Sequence, residues 1–161
     1  MKKVIIAFLS VSFLMTSCKK DEEVDVEQKA RIELLTNNSS KSWKVKDGIA
    51  KQNGLEVNLL ASQSPCVTDN IITLVSDFTY DFLEGDIKCE PSDPDLILSA
   101  NWSLSQDESI ITIDKFIFLG RTVDNPAFAL SEVTETTFSG TTNLTFEGET
   151  FDVDVTFEVV N

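Results

Sequence analysis

The sequence predicts an all-β fold, an antiparallel meander barrel preceded by a short helix. Three observations carry this expectation. Apolar and polar residues alternate through most of the chain beyond residue 40, turn-forming clusters separate the alternating runs, and helical spacing is convincing only once, near the N-terminus.

The helical stretch runs from Asp25 to Leu35. Val26, Ala30 and Leu34 recur at i, i+4 and i+8, with Ile32 and Leu35 to one side, and the run stops in Thr36-Asn37-Asn38-Ser39-Ser40, residues that favour turns. The clearest strand is the last one. Phe151, Val153, Val155, Phe157 and Val159 share one face, and Asp152, Asp154, Thr156 and Glu158 share the other, which specifies one buried and one wet side. Sheets wetted on one side are antiparallel. Thr136 to Phe146 reads as a long partner strand with Phe138, Gly140, Thr142, Leu144 and Phe146 inward, joined through Glu147-Gly148-Glu149 to form a terminal hairpin. Gly140 on the inward side allows the sharp bend that a barrel needs at a corner.

Further strands are expected at Ser42 to Asp47, Leu55 to Leu60, Asn70 to Val75, Thr79 to Leu83, Ala100 to Ser105, Ser109 to Asp114, Phe116 to Leu119 and Ala127 to Val133. Turn signals at Ser76-Asp77, Asp107-Glu108, Asp124-Asn125-Pro126 and Thr134-Glu135 separate several of them. Short strands at this spacing mean a sandwich or a barrel. No repeat of 20 to 50 residues is visible, which disfavours solenoids and propellers.

The N-terminus carries a different kind of signal. Met1-Lys2-Lys3 precedes a short apolar run from Val4 to Leu14, the pattern of an export signal, and the run is too short to span a bilayer. Leu14-Met15-Thr16-Ser17-Cys18 resembles a bacterial lipobox, in which the Cys thiol is diacylated and the chain is cleaved before it. The expected organisation is therefore a signal peptide over 1–17, a lipidated Cys18 with an acidic tether over 18–24, and one domain over 25–161. The tether sequence Lys19-Lys20-Asp21-Glu22-Glu23 has no apolar residue to pack. It resembles the lysine-plus-acid signal that directs lipoproteins of Bacteroidota to the outer face of the outer membrane.

Of the 13 basic residues, loss of Lys2 and Lys3 on cleavage leaves 11 against 27 acidic ones, a net charge of −16. Such a charge argues against nucleic acid or anionic lipid as a partner. Three cysteines are an odd number for an exported protein. Assigning Cys18 to lipid leaves Cys66 and Cys89, which are expected to pair in an oxidising compartment. The alternative, two free thiols or a metal pair, lacks support because neither has a neighbouring Cys and the chain has no His.

The absence of His removes the commonest general base, the Ser-His and Cys-His nucleophile pairs and the commonest zinc ligand. No glycine-rich phosphate loop or nucleophile elbow occurs either. Asp152 and Asp154 are a carboxylate pair of the kind glycosidases use, but they lie on the wet side of their strand. Glu84 to Asp95 concentrates oxygen donors without the spacing of an EF-hand loop, so solvated loop is preferred over a calcium site. No catalytic residue, metal or cofactor is expected.

Aromatic residues are the richest resource. Trp43, Phe78, Tyr80, Phe82, Trp102, Phe138, Leu144 and Phe146 are candidates for the inside of the barrel. Either they fill a small core or they line a cavity, since closed sheets of about eight strands have room for side chains or for one small ligand. A cavity of this kind would take a neutral or apolar ligand, because no Arg or Lys is expected to point inward.

Four segments carry a resemblance: Lys41-Ser42-Trp43-Lys44-Val45 after a short helix, Cys66-Val67-Thr68-Asp69-Asn70 opening a strand, Gly85-Asp86-Ile87-Lys88-Cys89 closing a hairpin, and Asn101-Trp102-Ser103-Leu104-Ser105 followed by Ile111 and Ile113. In their order and spacing they resemble the lipocalin-like lipoproteins of Bacteroidota, small calycin-type meander barrels, over most of the chain from Leu34 onward. The resemblance implies a lipid-anchored protein of the outer membrane, facing the exterior. It implies no uniform activity and no catalytic residue. Two functions are expected, the binding of a small apolar ligand or service as a non-catalytic accessory or structural subunit of an outer-membrane assembly.

Overall fold

The computed structural model describes residues 30–146 and 148–160. The expected signal segment, Cys18 with its tether, residues 25–29 of the expected helix, and the side chain of Phe146 lie outside the described residues.

A helix, α1 (Arg31–Thr36), opens the described chain; it starts at Arg31 because Ala30 has extended backbone angles, φ −58° and ψ 144°. The strands that follow are β1 (Ser40–Gln52), β2 (Leu55–Asn58), β3 (Ile71–Val75), β4 (Thr79–Leu83), β5 (Leu96–Leu104), β6 (Ile110–Ile113), β7 (Lys115–Phe118), β8 (Arg121–Asp124), β9 (Ala127–Val133), β10 (Thr137–Phe146) and β11 (Glu149–Val159). A second short helix, α2 (Pro65–Thr68), lies between β2 and β3.

Eight strands close into a ring in the order β1-β3-β4-β5-β6-β9-β10-β11, with β11 returning to β1 and every pairing antiparallel. This is the antiparallel meander barrel that the alternation predicts. β2 hangs from the upper half of β1, and β7 with β8 forms a separate two-stranded ribbon inside the β6 to β9 connection.

The inward faces follow the period-two rule. Phe138, Thr142 and Leu144 on β10 and Val153, Val155 and Phe157 on β11 are buried, while Thr141, Asn143 and Thr145 are exposed. On β1 the rule is broken once. The register shifts between Val45 and Asp47, so Trp43 is buried before the bulge and Gly48 and Ala50 after it. The bulge flips the inward parity from odd to even, which keeps both halves of a 13-residue strand facing the same interior.

α1 closes the lower end. Leu35 and Thr36 are fully buried, Trp43 Nε1 donates to the Leu35 carbonyl at 3.0 Å, and Lys41 Nζ donates to the carbonyls of Leu34 and Glu135. The Lys41 ammonium also sits 4.7 Å from the centre of the Trp43 ring. Arg31 fastens the helix to the β5 to β6 turn, its backbone N–H and its guanidinium donating to Glu108.

Gly140 lies at a register shift between β10 and β9, where Ser139 faces Glu132 and Gly140 faces Leu130. A Cβ there would sit 3.2 Å from both the Ala129 carbonyl oxygen and the Phe128 Cβ. Gly140→Val is therefore expected to cost about 1–3 kcal/mol by overpacking. The neighbouring Thr141→Val, on the exposed face, should change stability by less than about 0.5 kcal/mol. Denaturant midpoints of the two variants decide this, and equal, negligible shifts would refute the inward placement of Gly140.

Candidate binding site

Of the side chains expected inside the barrel, Trp43, Tyr80, Phe82, Trp102, Phe138 and Leu144 are all buried. Phe78 is not among them. The expected strand begins at Thr79, and Phe78 occupies the preceding turn with φ 69°, so its ring lies 42% exposed beside Trp102, with ring centres 5.1 Å apart.

These residues do not enclose a ligand-sized space. The free volume inside is about 10 Å³, walled by apolar side chains including Ile72, Leu74, Ile111, Phe128 and Phe157. That is at most the room of one water, and a wall without polar partners leaves no reason for a water to stay.

The interior is full because of the β7–β8 hairpin, which the alternation of Phe116 and Phe118 marks as a strand without revealing its place. Leu119 and Gly120, with φ of 49° and 77°, form its two-residue turn, the left-handed geometry that favours a tight hairpin. Phe116 and Phe118 project from one face and are 1% and 3% exposed. The Phe116 ring meets Phe128 on β9 at 5.6 Å and Phe157 on β11 at 6.5 Å, both edge-on, so it packs inside the barrel against the β9 to β11 side of the wall. Each buried phenyl contributes about 1.5–3 kcal/mol relative to exposure.

Polar contacts tie the base of the hairpin to the barrel. Tyr80 Oη donates to the Lys115 carbonyl, and Asn101 Nδ2 donates to Asp114 at 3.0 Å. Burial pushes the Tyr80 phenol up to about 12, with the charge of Asp114 adding to the effect, so it remains a donor across the ordinary pH range.

The upper end, opposite α1, is open. A cleft of about 400 Å³ lies between Leu59 and Gln63 after β2, the hairpin residues Phe118, Leu119 and Arg121, and Glu149 and Phe151 at the start of β11. Gly48 lies beneath it: its Cβ position is 3.6 Å from Leu59 and 3.7 Å from the Phe118 ring, so a bare backbone lets the two side chains converge. The volume falls within the range of small-molecule sites. Its floor is apolar and its rim carries Arg121 and Glu149, the latter accepting from Gln52 Nε2 at 2.9 Å. Leu55 and Val57, paired with Gln52 and Ala50, share the inward parity of Ala50 and are 72% and 58% exposed, which extends the apolar face outward along β2. Sequence reasoning did not single out this cleft. Its signal lay in Leu55, Val57 and Leu59, which alternate with Glu56 and Asn58, the first two exposed and Leu59 packed against the edge of the core.

Cys66 and Cys89 form a disulfide with Cα atoms 5.1 Å apart, tying α2 to the loop after β4 at the same end of the barrel. A second cleft, about 310 Å³, separates this tied loop from the rear face of the hairpin at Ile117, Gly120 and Thr122.

The acidic residues weighed for other chemistry are engaged elsewhere. Asp154 pairs with Lys51 at 2.6 Å and Asp152 accepts from Asn143 Nδ2, both on the outer face. In the Glu84 to Asp95 loop, Asp93 accepts from the Glu90 N–H and Asp95 pairs with Lys88 at 2.6 Å. Among the described residues no group of three or more acidic or Cys side chains is gathered for a metal.

The molecule is thus an eight-stranded antiparallel meander barrel, closed by a helix below, filled by its own hairpin and cleft at the top. No family model matches the chain, and no curated protein matches it by sequence. Among solved structures it is similar to bovine odorant-binding protein, in complexes with a selenium-containing odorant, with its natural ligand and with undecanal. Sequence identities are 13%, 14% and 13%, with TM-scores of 0.45, 0.45 and 0.46. The likeness covers 84%, 83% and 83% of this chain and 76% of each of those chains.

Proposed function

We propose that this chain is a lipid-anchored envelope protein, exported and diacylated at Cys18 and held on the exterior face of the outer membrane, whose barrel binds a small apolar ligand at its upper end. The observation that carries the binding half is the cleft of about 400 Å³ floored by Leu59, Phe118, Leu119 and Phe151. Its apolar floor favours an uncharged ligand body, and the Arg121 and Glu149 rim sums to no net charge. The anchoring half rests on the lipobox-like Leu14 to Cys18 and the charged tether that follows. No step of chemistry is assigned, because the chain has no His and the Glu149 carboxylate at the rim of the cleft accepts from Gln52.

Two measurements test it. N-phenyl-1-naphthylamine, a neutral fluorescent probe, should bind the wild type saturably, and Leu59→Asp should weaken that binding at least about tenfold, since a charge on the cleft floor must be desolvated by the ligand. Equal affinity in both proteins would remove the cleft from the reading. Metabolic labelling with an acyl probe should mark the wild type and not Cys18→Ser, and equal labelling would sink the anchor.

Leu55 and Val57 favour a second reading, a non-catalytic subunit of an outer-membrane assembly, because they leave an apolar stripe on an edge strand exposed. Leu55→Lys together with Val57→Lys separates the two. Loss of a co-purifying envelope protein with probe binding intact supports the subunit, and weakened probe binding alone supports the carrier.

A further inference from the structure

We propose that the β7–β8 hairpin is a displaceable internal plug, and that Phe116 and Phe118 occupy the place of a neutral, ring-bearing apolar ligand which enters the barrel when the hairpin swings out. The inference rests on the reading of this barrel as a ligand carrier and adds how its interior is opened.

Four features carry it. The ribbon belongs to no part of the barrel sheet, so its removal breaks none of the ladders that close the ring. Without Phe116 the ring of eight strands surrounds a space whose walls, Phe128 and Phe157 among them, are apolar throughout, and the phenyl group itself demonstrates what shape fits there. The hairpin is flanked by clefts, about 400 Å³ at the mouth and about 310 Å³ behind it toward the disulfide-tied loop, which give it space to move into once Ile117, Leu119 and Val123 leave their core contacts. Its base is a narrow one. Asp114 and Asn125 are joined by a backbone hydrogen bond of 2.9 Å, and the Tyr80 hydroxyl holds the Lys115 carbonyl beside it.

The exchange is close to balanced in kind. Apolar area that the Phe116 ring exposes on leaving is replaced by apolar area that the ligand ring buries on entering, so affinity is set by how strongly the hairpin competes. Weakening the plug must then tighten the ligand, which an ordinary lining residue does not do when truncated.

The experiment titrates the full-length protein in detergent with N-phenyl-1-naphthylamine and follows backbone hydrogen exchange with and without saturating probe. Phe116→Ala should bind at least about tenfold more tightly than wild type. Tyr80→Phe, which removes one hydroxyl and leaves the ring in place, should bind about threefold more tightly, as loss of one competing hydrogen bond implies. In the wild type, probe should speed exchange of amides 115–124 and leave β10 and β11 unchanged. Wild-type binding with unaltered hairpin exchange and no gain in either variant would overturn the plug while leaving the mouth cleft as the site. Tighter binding by Phe116→Ala together with indifference to Leu59→Asp would support the plug and remove the cleft. Should Phe116→Ala fail to fold, Tyr80→Phe and the exchange measurement decide alone, and unchanged affinity with unchanged exchange refutes the proposal.

Discussion

Trp43→Ala is expected to destabilise the protein by about 3–5 kcal/mol, the usual cost of removing a fully buried large aromatic. The indole is completely buried at the foot of β1 and packs edge-on against Phe138 with ring centres 4.9 Å apart. It also does something that volume alone does not. Its Nε1 donor satisfies the Leu35 carbonyl, a group at the end of α1 that has no helical partner, so truncation leaves a buried acceptor unmet in addition to a cavity. Trp43→Phe separates the two contributions, since it restores most of the volume but not the donor. Denaturant midpoints should place Trp43→Phe between wild type and Trp43→Ala, and a Trp43→Ala cost under about 1.5 kcal/mol would mean that α1 does not seal the barrel.

Breaking the Cys66 to Cys89 bridge comes next in size. The two residues are 23 apart in sequence, and cross-linking a loop of that length removes unfolded-chain freedom equivalent to about 3 kcal/mol. Cys66→Ala with Cys89→Ala should therefore lower the denaturant midpoint and raise the denaturant slope, because the unlinked unfolded chain exposes more surface. Alkylation of the unreduced wild-type domain should find no free thiol at either position. An unchanged midpoint would show that the bridge adds nothing to folding, and alkylation of both residues would show that it does not form in the protein.

Much of the barrel was legible in advance. The β10 and β11 pattern predicted which side chains enter the core, and the pairing then set the register in which Phe138 meets Phe157 and Gly140 meets Val155. Strands β4 and β9 fall where alternation put them, at Thr79–Leu83 and Ala127–Val133. Other elements were hidden. β5 begins at Leu96 instead of Ala100, because pairing of Leu96 and Leu98 with Leu83 and Phe82 extends a strand that local pattern would end. β8, Arg121–Asp124, is too polar to read as a strand and exists because a tight turn folds it back on β7. The bulge after Val45 reverses the parity of half of β1, and a period-two reading carried through it would have turned Ile49 inward in place of Ala50.

The candidate site divides in the same way. From the sequence alone came the inventory, aromatics sufficient to fill or line a small barrel with no His to do chemistry among them. Sequence also determined the inner and outer faces of the terminal strands, since facing is a property of the local backbone with a period of two. Whether the barrel is hollow was decided only by the tertiary structure. Phe116 and Phe118 alternate like the residues of any wall strand, yet they occupy the space that the walls enclose. Occupancy of a shared volume depends on the sum of side chains brought together from strands far apart in sequence, and no local pattern carries that sum.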